Sequence, residues 1–234
     1  MTMRKIRLLL LVIGIAAVLR LYQLGKTPIA LEWDEVALGY DAYSILKTGK
    51  DQFGQFFPIN FRSLDDYKPP LYVYAAIPGI ALFGLTDFAT RLPAATFGIL
   101  AVILTYFLCL SLFSERKEKY LIAFLSSLFL AVSPWHLQFS RAAFETNLSV
   151  TVTLAAVLSF LRGIHRRNTA SFLFSAVFFG LALFSYHSTR VVTPLLLVSL
   201  FILLRKGLPG KKIVFSFLTI YAVFVFFFIP IATS

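Results

Sequence analysis

The chain has 234 residues, 59% of them hydrophobic and only 14% charged, with a mean hydropathy of +0.82; a soluble domain is about a quarter charged, so water-soluble classes are excluded. The formal charge of +11 does not indicate nucleic acid, because the Lys and Arg sit in short connectors between apolar runs and form no basic face or stripe. Cys109 is the only cysteine and lies within an apolar run, which excludes an internal disulfide or a thiolate metal cluster.

The first apolar run, Ile6 to Leu24, is long enough for a helix to cross roughly 30 Å of hydrocarbon. Its stretch Arg4 to Leu19 imitates a signal peptide, but no small-residue cleavage site follows, so it is expected to remain as the first helix. Arg20 is the one charge inside a run and is expected to snorkel to the outer interface. After it comes Glu32-Trp33-Asp34-Glu35, and the spacing of Val36, Tyr40 and Tyr43, stopped by Gly49, predicts a surface helix starting there. Asp34 then falls at or next to the N-cap, where it serves as a cap, as a reactive carboxylate, or as both.

In Asp65-Asp66-Tyr67-Lys68-Pro69-Pro70 a proline pair stiffens the chain as it enters an apolar segment and sets Lys68 at the headgroup layer. A fixed ammonium there suits a phosphate, and a snorkelling Lys beside solvated acids is the plainer alternative. The segment Pro70 to Leu85 is short and carries Pro78, Gly79 and Gly84, so it is expected to lie along the membrane surface. Full-length runs follow at Leu92 to Phe113, Tyr120 to Leu137, Phe144 to Leu161, Ala170 to Tyr186, Ser188 to Leu204 and Ile213 to Ala232.

The loop between the third and fourth runs holds His136, Arg141 and Glu145; the i,i+4 spacing of the last two puts both on one helical face, as site residues or as a surface ion pair. The turn before the sixth run contributes Tyr186, His187 and Arg190, the Arg as a site cation or a headgroup anchor. Asn147-Leu148-Ser149 fits a glycosylation sequon but lies against a span and is given no role. Neither a linker nor a fixed-period repeat interrupts the chain, which reads as one domain, 1–234.

Charge sets the topology. If Pro70 to Leu85 does not cross, the basic clusters Arg4/Lys5/Arg7, Arg116/Lys117/Lys119, Arg162/Arg166/Arg167 and Arg205/Lys206/Lys211/Lys212 all face the cytoplasm; if it crosses, three of the four move outside. Seven spans with a cytoplasmic N-terminus in the cell membrane are therefore expected. All acids except Glu115 and Glu118 then lie outside, most of them in one loop, and Asp34, Lys68, Arg141, Glu145 and Arg190 share one face. A carboxylate base beside phosphate-binding cations suits transfer chemistry with an anionic leaving group.

Trp33-Asp34-Glu35, Asp66-Tyr67-Lys68-Pro69-Pro70-Leu71-Tyr72, Arg91-Leu92-Pro93-Ala94, Ser133-Pro134-Trp135-His136 and Ser140-Arg141-Ala142-Ala143-Phe144-Glu145 resemble the bacterial dolichyl-phosphate-mannose protein mannosyltransferase-like family, which includes aminoarabinose transferases and RgtA/B/C/D-like enzymes. The resemblance implies an all-α GT-C glycosyltransferase module with a polytopic seven-helix bundle, whose long first outer loop carries horizontal helices and the catalytic acid. It implies Asp34 as general base with Glu35 beside it, Lys68, Tyr67, Arg141 and Arg190 around the lipid phosphate, and Glu145, with His136, as acceptor or metal candidates. Family members continue beyond such a module, whereas this chain stops at Ser234, so the acceptor-selecting part is expected to be absent.

The expected function is inverting sugar transfer on the extracytoplasmic face, from a polyprenyl-phosphate donor to a hydroxyl of a glycan, lipid or protein. No compact ligand motif fixes a cofactor; a divalent metal among Glu35, Glu145 and His136 is left open. Competing readings are a lipid-linked-sugar flippase, which calls for ionisable groups along the span interiors, and a catalytically silent truncated relative.

Overall fold

The computed structural model describes residues 3–63 and 66–232; Asp65 of the acidic motif lies outside the described residues. The chain divides into two compact units, residues 1–151 and 152–234. The first contains α1 (Met3–Leu21), α2 (Trp33–Thr48), a small antiparallel ladder of β1 (Phe61–Arg62) with β2 (Tyr67–Lys68), α3 (Pro70–Phe83), α4 (Asp87–Leu112), α5 (Lys119–Val132) and α6 (Pro134–Arg141). It ends within α7 (Thr146–His165), and the second unit adds α8 (Thr169–Leu183), α9 (Thr189–Leu203), a 3-10 turn at Arg205–Gly207 and α10 (Lys211–Ala232).

Each apolar run of the sequence is helical. By length and composition α4, α7 and α10 can cross a membrane, and the bent pair α5–α6 makes a fourth span if taken as one. The 26 residues of α4 extend about 39 Å. At 14 residues, α3 reaches only about 21 Å and falls short of the hydrocarbon thickness.

The run Tyr120 to Leu137 is not one straight helix: α5 and α6 meet at Ser133 with a 57° bend. Pro134 drives the preceding residue out of the helical region, and Ser133 sits at φ −59°, ψ 120°. Pro134 then opens α6 at a first-turn position where its missing N–H costs nothing. The helix expected after Glu32 runs Trp33–Thr48 and ends on Gly49, whose φ of 73° is the left-handed cap that favours glycine.

In the first unit Val12 and Ala16 of α1, Val102 of α4 and Ala131 of α5 form a core of small side chains that lets the helices approach closely. At Gly98 of α4 a Cβ would overlap Ser140 Oγ and come to 3.0 Å from Arg20 Nε, so only glycine fits there. The second unit is packed by aromatic rings, with Phe172 4.9 Å from Phe217 and 5.2 Å from Phe160. Leu195, Ile202, Phe215 and Phe226 remain exposed on α9 and α10, an outer face that suits acyl chains.

Candidate active site at the start of α2

Asp34 and Glu35 are consecutive in the first turn of α2, so their side chains leave the helix about 100° apart and meet different surroundings. Glu35 turns inward and is only 2% exposed. Its Oε1 lies 2.9 Å from Arg91 Nε and its Oε2 3.0 Å from Arg91 Nη2. The Ala143 N–H donates to Oε1 at 2.6 Å, and the Glu32 N–H donates to Oε2 at 3.1 Å, closing a capping box. Burial alone would push this carboxyl up, but the bonds from Arg91, Ala143 and Glu32 hold it below the usual glutamate value.

Arg91 is fully buried and spends its remaining donors on the carbonyls of Leu24, Pro28 and Ala30. One ion pair thus ties α2, α4, the strand-less segment after α1 and the segment before α7. Glu35 was expected as a reactive neighbour of Asp34; the geometry gives it holding work.

Asp34 leaves the helix on a different, partly exposed side. Its Oδ2 is 3.2 Å from Lys68 Nζ, which also donates to Asp66 Oδ2 at 3.0 Å. Burial would lower the Lys68 pKa, but the hydrogen bonds to Asp66 and Asp34 raise it above the usual lysine value, so the ammonium stays charged. Glu145 completes the cluster. It is buried, its Oε1 has no hydrogen-bond partner among the described residues, and burial raises its pKa within the fields of Lys68, Asp34 and Asp66. Tyr67, beside Lys68 on β2, is exposed.

Arg141 is engaged in another part of the first unit. Arg141 donates to the carbonyls of Leu19 at 2.9 Å, Tyr22 at 2.9 Å and Thr27 at 3.0 Å, closing the C-terminal end of α1, whose last carbonyls lack helical partners. It does not pair with Glu145: α6 ends at Arg141, Ala142 is extended at φ −110°, ψ 153°, and α7 begins at Thr146, so the i,i+4 spacing never becomes one helical face. Arg190 opens α9 in the second unit, its guanidinium 5.2 Å from the Phe228 ring centroid.

Arg20 does not snorkel. It is fully buried, with donors to Ala131 O at 3.0 Å, Ser140 Oγ at 3.1 Å and His136 Nδ1 at 2.7 Å. The break at Ser133 frees carbonyls at the end of α5, and the guanidinium goes to them. Because Arg only donates, His136 Nδ1 accepts and Nε2 carries the ring proton. Asn147 donates to Ser140 Oγ at 2.6 Å in the same network, so the sequon is buried. Glu35 is saturated, and among the described residues no three Asp, Glu, His or Cys side chains converge as metal ligands; the divalent metal left open among Glu35, Glu145 and His136 finds no converging ligand set in those three residues.

Residues 67–233 match the family of dolichyl-phosphate-mannose-protein mannosyltransferases. The fold is similar to crystal structures of ArnT from Cupriavidus metallidurans in the apo state, with a TM-score of 0.63, and bound to undecaprenyl phosphate, with a TM-score of 0.64. Identity is 17% in both, over 96% of this chain and 41% and 40% of those chains, so the chain spans about two fifths of their length. No curated protein matches the chain.

Proposed function

This chain belongs to the dolichyl-phosphate-mannose-protein mannosyltransferase family, and from that premise we propose that it forms the donor-binding part of a membrane glycosyltransferase that moves a sugar from a polyprenyl phosphate to an acceptor hydroxyl. The observation that carries the reading is the charged Lys68 ammonium held between Asp34 and Asp66, beside the buried Glu145. The fold's likeness to an enzyme solved with undecaprenyl phosphate agrees with it.

In this reading the donor phosphate takes over Lys68. The Asp34 carboxylate, relieved of its cation, accepts the proton of the acceptor hydroxyl as that oxygen attacks C1. The C1–O bond to phosphate breaks with its electron pair leaving on the phosphate oxygen, where the Lys68 ammonium neutralises the charge. Attack opposite the leaving group inverts C1. The open Oε1 of Glu145 binds the acceptor, while Glu35 with Arg91, and Arg141 on the end of α1, fix the walls. In this reading the chain crosses seven times with its N-terminus inside, the shorter apolar helices α8 and α9 included, and the cluster faces the extracytoplasmic side of the cell membrane; the distribution of the basic connectors supports it. The buried arginines that a flippase would need along its path, Arg20 and Arg91, are committed to internal carbonyls and Glu35.

The test is transfer of radiolabel from a polyprenyl-phosphate sugar by membranes holding the full-length protein. Labelled acceptor made by the wild type and lost with Lys68→Ala supports the reading; labelling no greater than in membranes lacking the protein contradicts it.

A further inference from the structure

The second unit contains no Asp or Glu anywhere in residues 152–234, yet Arg162, Arg166 and Arg167 lie at the α7–α8 turn and Arg205, Lys206, Lys211 and Lys212 at the α9–α10 turn. No carboxylate of the unit can neutralise them. Between the two turns lies a cavity of about 360 Å³, lined by Arg167, Lys206 and Thr169 over a floor of Phe172, Leu208 and Ile213. That volume lies in the range of small-ligand pockets.

Three features make this more than a solvated basic edge. Neither Arg167 nor Lys206 has a side-chain hydrogen bond or ion pair among the described residues. Arg167 stands at φ 49°, a left-handed position that Gly or Asn would fill with less strain, and the turn nevertheless places an arginine there, at the cavity wall. Two helices also start at the cavity, α8 at Thr169 and α10 just after Gly210, so the positive ends of their dipoles add to the side-chain charge. Next to it α9 and α10 expose Leu203 and Phe215, which suit acyl chains and favour a lipid over a free ion.

We propose that this cavity binds the phosphate headgroup of an anionic phospholipid, with Arg167 and Lys206 on the phosphate oxygens and the acyl chains along α9 and α10. Basic pockets between transmembrane helices recognise such headgroups by the same chemistry. The inference stands apart from the transfer reaction, since its readout is bound lipid.

The experiment is native mass spectrometry of the full-length protein in detergent with phosphatidylglycerol or phosphatidylcholine. Wild type is expected to retain phosphatidylglycerol selectively. Arg167→Gly/Lys206→Ala, whose glycine suits the left-handed turn and so protects folding, is expected to weaken that binding roughly 30-fold. Gly210→Leu leaves every charge in place but puts a side chain where a Cβ meets nothing within 4 Å, and it is expected to expel the lipid as well. Lys211→Ala/Lys212→Ala removes the same charge outside the cavity and is expected to retain lipid within about threefold of wild type. Equal loss in the two double variants, unchanged binding in Arg167→Gly/Lys206→Ala, or displacement of the lipid by millimolar inorganic phosphate would each overturn the assignment.

Discussion

Glu35 and Arg91 form a two-pronged, fully enclosed ion pair, and the same Glu35 Oε1 that meets Arg91 Nε at 2.9 Å also accepts the Ala143 N–H at 2.6 Å. A single carboxylate therefore registers the start of α2, which carries Asp34, against the segment that carries Glu145.

Removing one member of such a pair strands the other charge. Glu35→Gln is expected to lower the unfolding free energy by about 3–5 kcal/mol, whereas Glu35→Met/Arg91→Met loses clearly less. The pair's contribution is present above the ordinary glutamate value of 4.5 and fades only as pH falls through the depressed folded value. Thermal unfolding in nanodiscs, for both variants and at two pH values, checks this. A double variant worse than the single one would contradict it.

Asp41 behaves in the opposite sense. It is buried on α2, accepts the Gln52 N–H at 3.0 Å, and burial, with Asp51 nearby, pushes its pKa from 3.8 up to about 6. The folded state holds that proton more tightly than the unfolded chain, so stability is higher below pH 3.8 and falls as pH rises from about 3.8 to about 6. Asp41→Asn, with the Gln52 amide turned over, is expected to remove that dependence and to stabilise the loop at pH 7 by about 1–3 kcal/mol. Hydrogen exchange at residues 51–55 in both proteins reads it directly.

Gly98 tests the buried Arg20 network. Gly98→Ala drives a methyl into Ser140 Oγ and Arg20 Nε and is expected to cost about 1–3 kcal/mol. Gly14→Ala in α1, where a Cβ meets nothing within 4 Å, is expected to be neutral or to stabilise by up to about 1 kcal/mol. Equal effects at the two sites would show that the close packing at Gly98 is not tight in solution.

Local signals made much of this legible. Glu32 through Glu35, followed by Gly49, marked where α2 starts and stops, because capping chemistry is short-range, but the cap is Glu32, boxed with Glu35, and not Asp34, which lies one position into the first turn after Trp33. Asp34, Lys68, Arg141, Glu145 and Arg190 were expected on one face; of these the structure pairs Asp34 with Lys68 and sets Glu145 within their fields, whereas Arg141 is taken up by the carbonyls at the end of α1 and Arg190 belongs to the second unit. What stayed hidden depended on distant partners. Arg20 looked like an interface residue because its acceptors at Leu130 and Ala131 lie more than a hundred positions away. The spacing of Arg141 and Glu145 misled because the chain leaves the helix at Ala142. Hydropathy also ran through the break at Ser133, although Pro134 was the available signal. Arg91 was visible as a charge at the start of a long apolar helix, and a search for its carboxylate would have found Glu35.

Topology has its own check. With Cys109 replaced by Ser, single cysteines at Lys50 and Asp66 are expected to react with an impermeant thiol reagent added outside, and cysteines at Lys117 and Lys211 only after the membrane is opened; all four native positions are exposed. Labelling of Lys117→Cys from outside would sink the seven-crossing arrangement.

The most direct test of the proposed chemistry measures donor binding and sugar transfer side by side for Asp34→Asn and Lys68→Ala in the full-length protein. Asn keeps the size and a hydrogen bond to Lys68 but takes no proton, so Asp34→Asn is expected to bind the polyprenyl-phosphate sugar within about threefold of wild type and to transfer it at least roughly 100-fold more slowly. Lys68→Ala is expected to lose both, because the ammonium meets the phosphate in the ground state and at the transition state. Near-normal transfer by Asp34→Asn, or normal donor affinity in Lys68→Ala, would contradict the account.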